Sequence, residues 1–445
     1  MLQVVKPPAG PKGLPLLGNV FDVRGKDLLG YWRETHARYG ETVKLRLGPL
    51  DCWSFAGPEG IYDVLVTQHK SIRKGFGYNG LRLLLGEGLI STDAPHWASE
   101  RQSLNPLFSP VAIEGYAGAV YDAVKLGLDD LDGPATRAEV IDIGAAMTRV
   151  TMRVVSQAAF GVDFGESHAG VADAFNDAFA FIADISADPV HPPLFVPTAR
   201  NRAYKRNLEV IDAFVAGLVE GARQNPEQGG LNGQILAALK HAPPKLLRDE
   251  IVSLYFAGFE TTARGMAYAM YLLARHPEWL EPLAHEAARF QRPDGGLAVL
   301  KGLPVAAEIV SETLRLYPPV PIMGRQTLAD TVIGGYPVKG GSLVLIVPFI
   351  AQRDPRFWPA GDDFAPDPAN PLSRRLPHKG AWMPFGGGPR LCLGKHFALV
   401  EMAMATALLA QRYSWTLQSD APLELEFHGT IRPKTPLLAR LARRG

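Results

Sequence analysis

The segment Phe385-Gly386-Gly387-Gly388-Pro389-Arg390-Leu391-Cys392-Leu393-Gly394 sets one cysteine in a glycine-rich turn, ahead of an apolar run from about Lys395 to Arg412 at helical spacing. Three glycines and a proline cannot sit inside a stable helix or strand, so this stretch must be a loop that delivers a thiol to the start of a helix. Glycine lets the backbone pass close under a flat group. Amide N–H groups aimed at sulfur stabilise a thiolate and set its electron donation. Arg390, two residues ahead of the cysteine, can reach an anionic edge. A single Cys donor with no His or Cys beside it cannot build the four-ligand shell of structural zinc, whereas a haem needs one axial protein ligand. Haem-thiolate ligation is the leading reading; a buried free cysteine beside a loop is the plain alternative.

The 445 residues are 47% hydrophobic, and Lys+Arg 46 against Asp+Glu 45 leaves almost no net charge, so a large core is available and general nucleic-acid binding is not indicated. No linker, charge block or repeat divides the chain, which favours one large domain. With only Cys52 and Cys392, a disulfide framework is not expected, and a reducing, cytoplasmic compartment fits. The first residues lack a signal-peptide pattern, and no stretch reaches the roughly 18 apolar residues of a membrane span. Residues 7–19 form a stiff Pro/Gly-rich segment.

Along the chain, a short helix is expected near 26–39, then a β-hairpin from Thr42 to Phe55 turning at Gly48-Pro49. From about 94 to 290 the apolar spacing is helical, with no strong strand pattern. Strand signals return at Thr331-Val332-Ile333 and Leu343 to Val347, and a Pro-rich stretch, 354–384, leads to the cysteine turn.

The cysteine segment fills every specified position of FxxGxRxCxG, the haem-binding signature of the cytochrome P-450 superfamily, at Phe385, Gly388, Arg390, Cys392 and Gly394. Over nearly its whole length the chain resembles soluble bacterial-type members. The resemblance implies a single-domain fold, mainly α with a small β-sheet region, holding haem b (iron protoporphyrin IX) through Cys392. It also implies a monooxygenase that hydroxylates or epoxidises an apolar substrate with O2.

The longest helix is expected from about Leu247 to Ala274, and its middle, Ala257-Gly258-Phe259-Glu260-Thr261-Thr262, is poor in helix propensity. A Thr hydroxyl can bond the carbonyl of the preceding turn and bend or widen the helix. The stretch resembles the family's AGx(D/E)T motif, which implies that Gly258 leaves room over the iron, Thr261 holds dioxygen and Glu260 relays protons. An ordinary buried helix with a packing glycine would carry similar letters.

Glu312 and Arg315 lie three apart, on one side of a helix near 304–316, where they can pair. The sequence through Pro318 resembles the family's ExxR helix end, whose buried pair is structural. The arginine that usually completes it is missing: the PERF-like position holds Pro368, with Arg374 or Arg375 as candidate substitutes. By resemblance, haem carboxylates would be met by Trp97, Arg101, Arg325 and Arg390, with His96 a weaker candidate. Unpaired buried carboxylates are costly, so such partners are required.

Apolar segments at 75–85, 175–195 and 320–323 match those the family places over the distal face, which suits a fatty acid, terpenoid or carotenoid. No dinucleotide fingerprint is present, so electrons would come from a ferredoxin or flavodoxin with its reductase, received by Arg374, Arg375, His378, Lys379, Arg390, Lys395 and His396. A peroxide-driven peroxygenase or isomerase of the same fold and a non-catalytic haem sensor are the alternatives; the Glu260-Thr261 pair disfavours them.

Overall fold

Helix starts follow from residues that satisfy or remove orphan backbone amides. In the computed structural model, which describes residues 8–24, 27–162, 168–187, 191–224, 230–359, 361–372, 376 and 378–444, Asp27 accepts the Leu29 amide at 3.0 Å ahead of helix Leu28–Tyr39. Ser109 accepts Ala112 at 3.2 Å ahead of Pro110–Asp129, and Asp142 accepts Gly144 at 2.8 Å ahead of Ile143–Val154. Each such cap contributes about 1 kcal/mol. Proline opens the helices Pro244–Arg275 and Pro304–Leu316, where its missing N–H is not needed. The long helix therefore begins one turn earlier than its apolar spacing suggests, and it ends ahead of Pro277 as expected.

Helix Pro244–Arg275 packs along Ile143–Val154, and Lys395–Arg412 is surrounded by Leu280–Arg289, Pro110–Asp129 and Pro304–Leu316. The two share one apolar core. Phe175, Tyr255, Phe256 and Phe259 form an aromatic cluster in it, with ring centroids 5.4 to 6.0 Å apart. Leu84, Leu85, Phe175 and Phe179, within two of the segments expected over the distal face, are buried in this core.

Strands gather beside this helical body. The expected hairpin, Thr42–Leu47 with Leu50–Phe55, turns at Gly48, whose φ of +59° suits glycine. Its second strand pairs in parallel with Leu343–Ile346, in register Cys52 to Leu343, and the sheet continues through Met323–Thr327 to Ile72–Arg73. One expectation fails: the stretch 94–290 contains a strand, Val140–Asp142, paired with Leu438–Arg443. Three residues are too few to show alternation, and the partner strand lies far away in sequence. Among the described residues no helix is long and apolar enough to cross a membrane.

Candidate active site

The cysteine loop is fixed by its own backbone. Cys392 N–H donates to the Phe385 carbonyl at 2.9 Å, and Leu391 N–H to Gly388 at 3.1 Å. Gly388 has φ +62°, and a Cβ there would fall 2.0 Å from the Leu65 carbonyl oxygen, so no other residue fits between the loop and the π turn Asp63–Thr67. Cys392 is open on one side, yet the protein around it is dense enough that burial pushes the thiol pKa up. The Gly394 amide and the cations Arg101 and Lys395 pull the other way, toward the thiolate. Cys52, the other free cysteine, is buried in the hairpin.

A surplus of positive charge lies beside the loop. The Arg390 guanidinium donates to Thr92 O at 3.0 Å and Asp93 Oδ1 at 2.8 Å, and sits 4.3 Å over the Trp97 ring. Arg325, on strand Met323–Thr327, donates to the Tyr78 hydroxyl at 2.9 Å. Lys74 is 8% exposed and donates to the Ile90 carbonyl. Burial lowers the Arg390 pKa to about 10 and that of Lys74 well below the usual lysine value, with the neighbouring cations adding to the effect on both. Arg101 Nε is buried without a partner. Asp93 is the anion among these groups. The four aromatic and cationic positions expected here come together: Trp97 and Arg325 beside Arg390, and Arg101 near both Arg390 and the Cys392 thiol. His96 turns elsewhere, 2.6 Å from Glu100. Lys74 and Asp93 were not anticipated, because nothing local distinguishes them from surface charges.

On the long helix, Leu254, Ala257, Gly258, Thr261 and Arg264 form a half-buried stripe, while Glu260 and Thr262 on other faces are enclosed. Thr261 Oγ1 bonds the Ala257 carbonyl at 2.9 Å, and Thr151 Oγ1 reaches the Phe259 carbonyl at 3.2 Å. The backbone remains α-helical throughout, so the expected widening is not in this helix. It occurs in the neighbouring π turn Val155–Ala159. There it bears on Gly258: a Cβ at that position would meet Val155 Cγ2 at 3.1 Å. Gly258 thus packs closely against Val155 while remaining half-buried beside Ala257 at the edge of the open stripe.

Glu260 is 0% exposed and is the centre of a buried ion cluster. Its Oε1 accepts from Arg264 Nε at 3.2 Å, Thr430 Oγ1 at 3.0 Å and Arg432 at 3.0 Å, while Oε2 has no partner. Burial alone would raise its pKa, but the two guanidiniums outweigh it and hold the carboxyl below the usual range. The cluster pins strand Thr430–Pro433 to the helix. Arg264, Thr430 and Arg432 are additions from the structure; only the i, i+4 spacing of Glu260 and Arg264 was visible beforehand.

Arg315 and Glu312 form a two-point pair, 2.7 Å at each contact and almost fully buried. Arg315 also donates to the carbonyls of Gln352, Gly361 and Asp363 at 2.7 to 2.9 Å, and Glu312 accepts the Ala365 amide at 3.1 Å. Glu308 accepts the Leu372 amide at 3.0 Å. Backbone groups of the 361–372 segment therefore do the tying that an arginine at Pro368 would do; Arg374 and Arg375 lie outside the described residues.

An open thiol with a neighbouring amide and cations, beside buried cations that outnumber their one anion, suits a flat metal complex carrying carboxylates. The comparisons with known proteins agree. The sequence profile described as Cytochrome P450 matches residues 8–440. Cyclooctatin synthase of Streptomyces melanosporofaciens is 28% identical over 424 residues, 91% of this chain and 88% of that protein. Cyclooctat-9-en-7-ol 5-monooxygenase of the same organism is 28% identical, with 91% of this chain and 88% of that one covered. Protein LUTEIN DEFICIENT 5 of Arabidopsis thaliana is 25% identical over 93% of this chain and 73% of its own length. With the profile spanning almost all of the sequence, this chain belongs to the cytochrome P450 family and is a haem monooxygenase.

Proposed function

We propose that Cys392 is the axial thiolate of a haem b, held at its carboxylates by Arg390, Arg325, Arg101 and Lys74, with Trp97 stacked under Arg390. The carrying observation is the buried cationic surplus beside a thiol open on one side. Bound there, the haem supplies O2 activation: one oxygen atom enters the substrate, the other leaves as water, and two electrons and two protons are consumed. The chain's own part is to position and protonate. Phe385, Gly388 and Gly394 hold the cysteine turn in shape. The Thr261 hydroxyl, on the half-buried stripe, orients oxygen and passes a proton to it; Glu260 Oε2, without a partner, is the atom left to serve Thr261. Glu312 and Arg315 keep the core behind the loop rigid.

The substrate is apolar, of the fatty-acid, terpenoid or carotenoid kind. Leu254 and Ala257 on the open stripe support this, as do relatives named for cyclooctat-9-en-7-ol and for lutein. Spin-state titrations with the three classes test it; no response to any of them rejects it. Electrons come from an acidic ferredoxin or flavodoxin at a cleft of about 490 Å³ lined by Tyr62, Trp382, Gly387, Lys379 and Lys395. Lys395→Glu should raise the KM for the partner severalfold, and an unchanged KM excludes this surface. Two free cysteines accord with a cytoplasmic setting.

The deciding experiment is the absorption spectrum of the dithionite-reduced, CO-bound protein beside Cys392→His. A strongly red-shifted Soret band lost in the variant is expected. An imidazole-like band in the wild type would overturn the ligand assignment.

A further inference from the structure

Helix His96–Leu104 presents two faces to the interior. Trp97 and Arg101, one turn apart, serve the cysteine loop. His96 and Glu100 are also one turn apart, about 100° round from that pair; Glu100 turns in toward Glu250 of the long helix, and His96 lies at the surface. Glu100 is 5% exposed and Glu250 0%. Neither oxygen of Glu250 receives a well-formed hydrogen bond, and Glu100 has only the His96 imidazole, Nε2 to Oε1 2.6 Å, on a side chain 44% exposed. Ionised carboxylates are acceptors only, so two of them brought together in a buried site with few donors favour keeping one proton between them.

The surroundings do not relieve this. Asp249 is the adjacent anion, and it is already engaged by Lys245 at 2.8 Å, Arg248 at 3.1 Å and the Glu87 amide at 3.0 Å. Burial, contact with Glu100 and the Asp249 charge all favour the protonated form of Glu250, against a smaller opposing effect of the Leu89 amide. One turn further, Ser253 is fully buried and its hydroxyl has no partner. A Cβ at Gly88 would fall 2.5 Å from that hydroxyl, so the same loop, 86–90, covers both Ser253 and the carboxyl pair.

Helix geometry gives this cluster a direction. Glu250 and Thr261 are eleven residues apart, about three turns, which returns the side chains to one face within about 20° at a rise of about 16 Å. Leu254 and Ala257 between them are half-buried on that face. Glu260, by contrast, has its carboxyl pKa held below the usual range by two arginines, so it is a poorer proton store than Glu250.

We propose that Glu100 and Glu250 share a resident proton and, with His96 at the surface and Ser253 inside, form a proton path to the Thr261 face of the long helix. The proposal rests on the monooxygenase reading, in which two protons are consumed per turnover. A solvent proton binds His96 Nδ1 while Nε2 releases its own to Glu100 Oε1. The shared proton moves from Glu250 through the Ser253 hydroxyl to solvent water on the stripe, each O–H bond broken being replaced from behind.

The test pairs a readout independent of turnover with one that depends on it. Infrared difference spectra of the wild type minus Glu250→Gln near neutral pH, which cancel the band of the buried Glu401, should show the carbonyl stretch of a protonated carboxyl that shifts in D2O. In NADH-driven assays with ferredoxin and reductase, Glu250→Gln and Glu100→Gln should keep the red-shifted CO band while product per NADH falls severalfold and the solvent isotope effect grows. His96→Gln, at the surface end, should show a smaller fall. Absence of the infrared band, or unchanged coupling in both Gln variants, overturns the path. Loss of the CO band in the wild type would instead overturn the haem reading, and the infrared result would still report on the shared proton.

Discussion

Glu250 and Glu260 stand ten residues apart on one helix, both 0% exposed, and their carboxyls are pushed in opposite directions. Arg264, Arg432 and Thr430 hold the Glu260 pKa below the usual carboxylate range, whereas burial and Glu100 push that of Glu250 up to about 9. Burial is the same for both, so burial does not decide the charge. The partner set does: two guanidiniums and a hydroxyl overcome desolvation at one site, whereas a second carboxyl adds to it at the other. One helix thus carries a carboxyl paired with cations on one face and a carboxyl paired with a second acid on another.

The largest effect that tests this contrast comes from Glu260→Ala, which removes the fully buried anion paired with two half-buried arginines. It should lower unfolding free energy by about 3–5 kcal/mol in urea melts, as for other broken buried pairs. A loss near zero would mean that the arginines have other anions.

The second test uses pH, and the two acids give opposite signs. The Glu260 pKa lies below its unfolded value of about 4.5, so its stabilisation is complete above that pH and disappears as pH falls through the folded value. Glu250 is pushed up to about 9, so from about 4.5 to 9 the folded state binds the extra proton and stability declines as pH rises. Glu250→Gln should therefore be more stable than wild type at pH 8, by roughly 1–3 kcal/mol, with the difference vanishing toward pH 5. A variant destabilised equally at both values would show that Glu250 is ionised in the fold.

The smallest effect belongs to Thr430→Val, which removes one donor from Glu260 and leaves both arginines. About 1 kcal/mol is expected, with the acid limb of the stability curve moved to slightly higher pH.

Much of the frame was legible in the sequence because its signals are local. Pro244 and Pro304 mark helix starts, Gly48 marks the hairpin turn, and the glycine-rich run ahead of Lys395 marks the thiol loop. What stayed hidden depends on partners distant in sequence. The role of Gly258 is set by Val155, the state of Glu250 by Glu100, and strand Val140–Asp142 by Leu438–Arg443. The motif around Thr261 was visible, but the division between its open stripe and the enclosed Glu260 required the neighbouring helix and strand. Lys74 and Asp93 are single charges in loop sequence, and only the fold shows that Lys74 is buried and that Asp93 pairs with Arg390.

The parallel pairing of Leu50–Phe55 with Leu343–Ile346 has a consequence for synthesis. The edge of Leu50–Phe55 that includes Cys52 finds its partner only after some 290 further residues have been made. At about 5–20 residues per second, that strand edge is unsatisfied on the ribosome for roughly 15–60 s. An apolar, β-branched-poor edge of Leu50, Cys52, Trp53 and Phe55 is the stretch of the nascent chain that a holding chaperone would most need to cover.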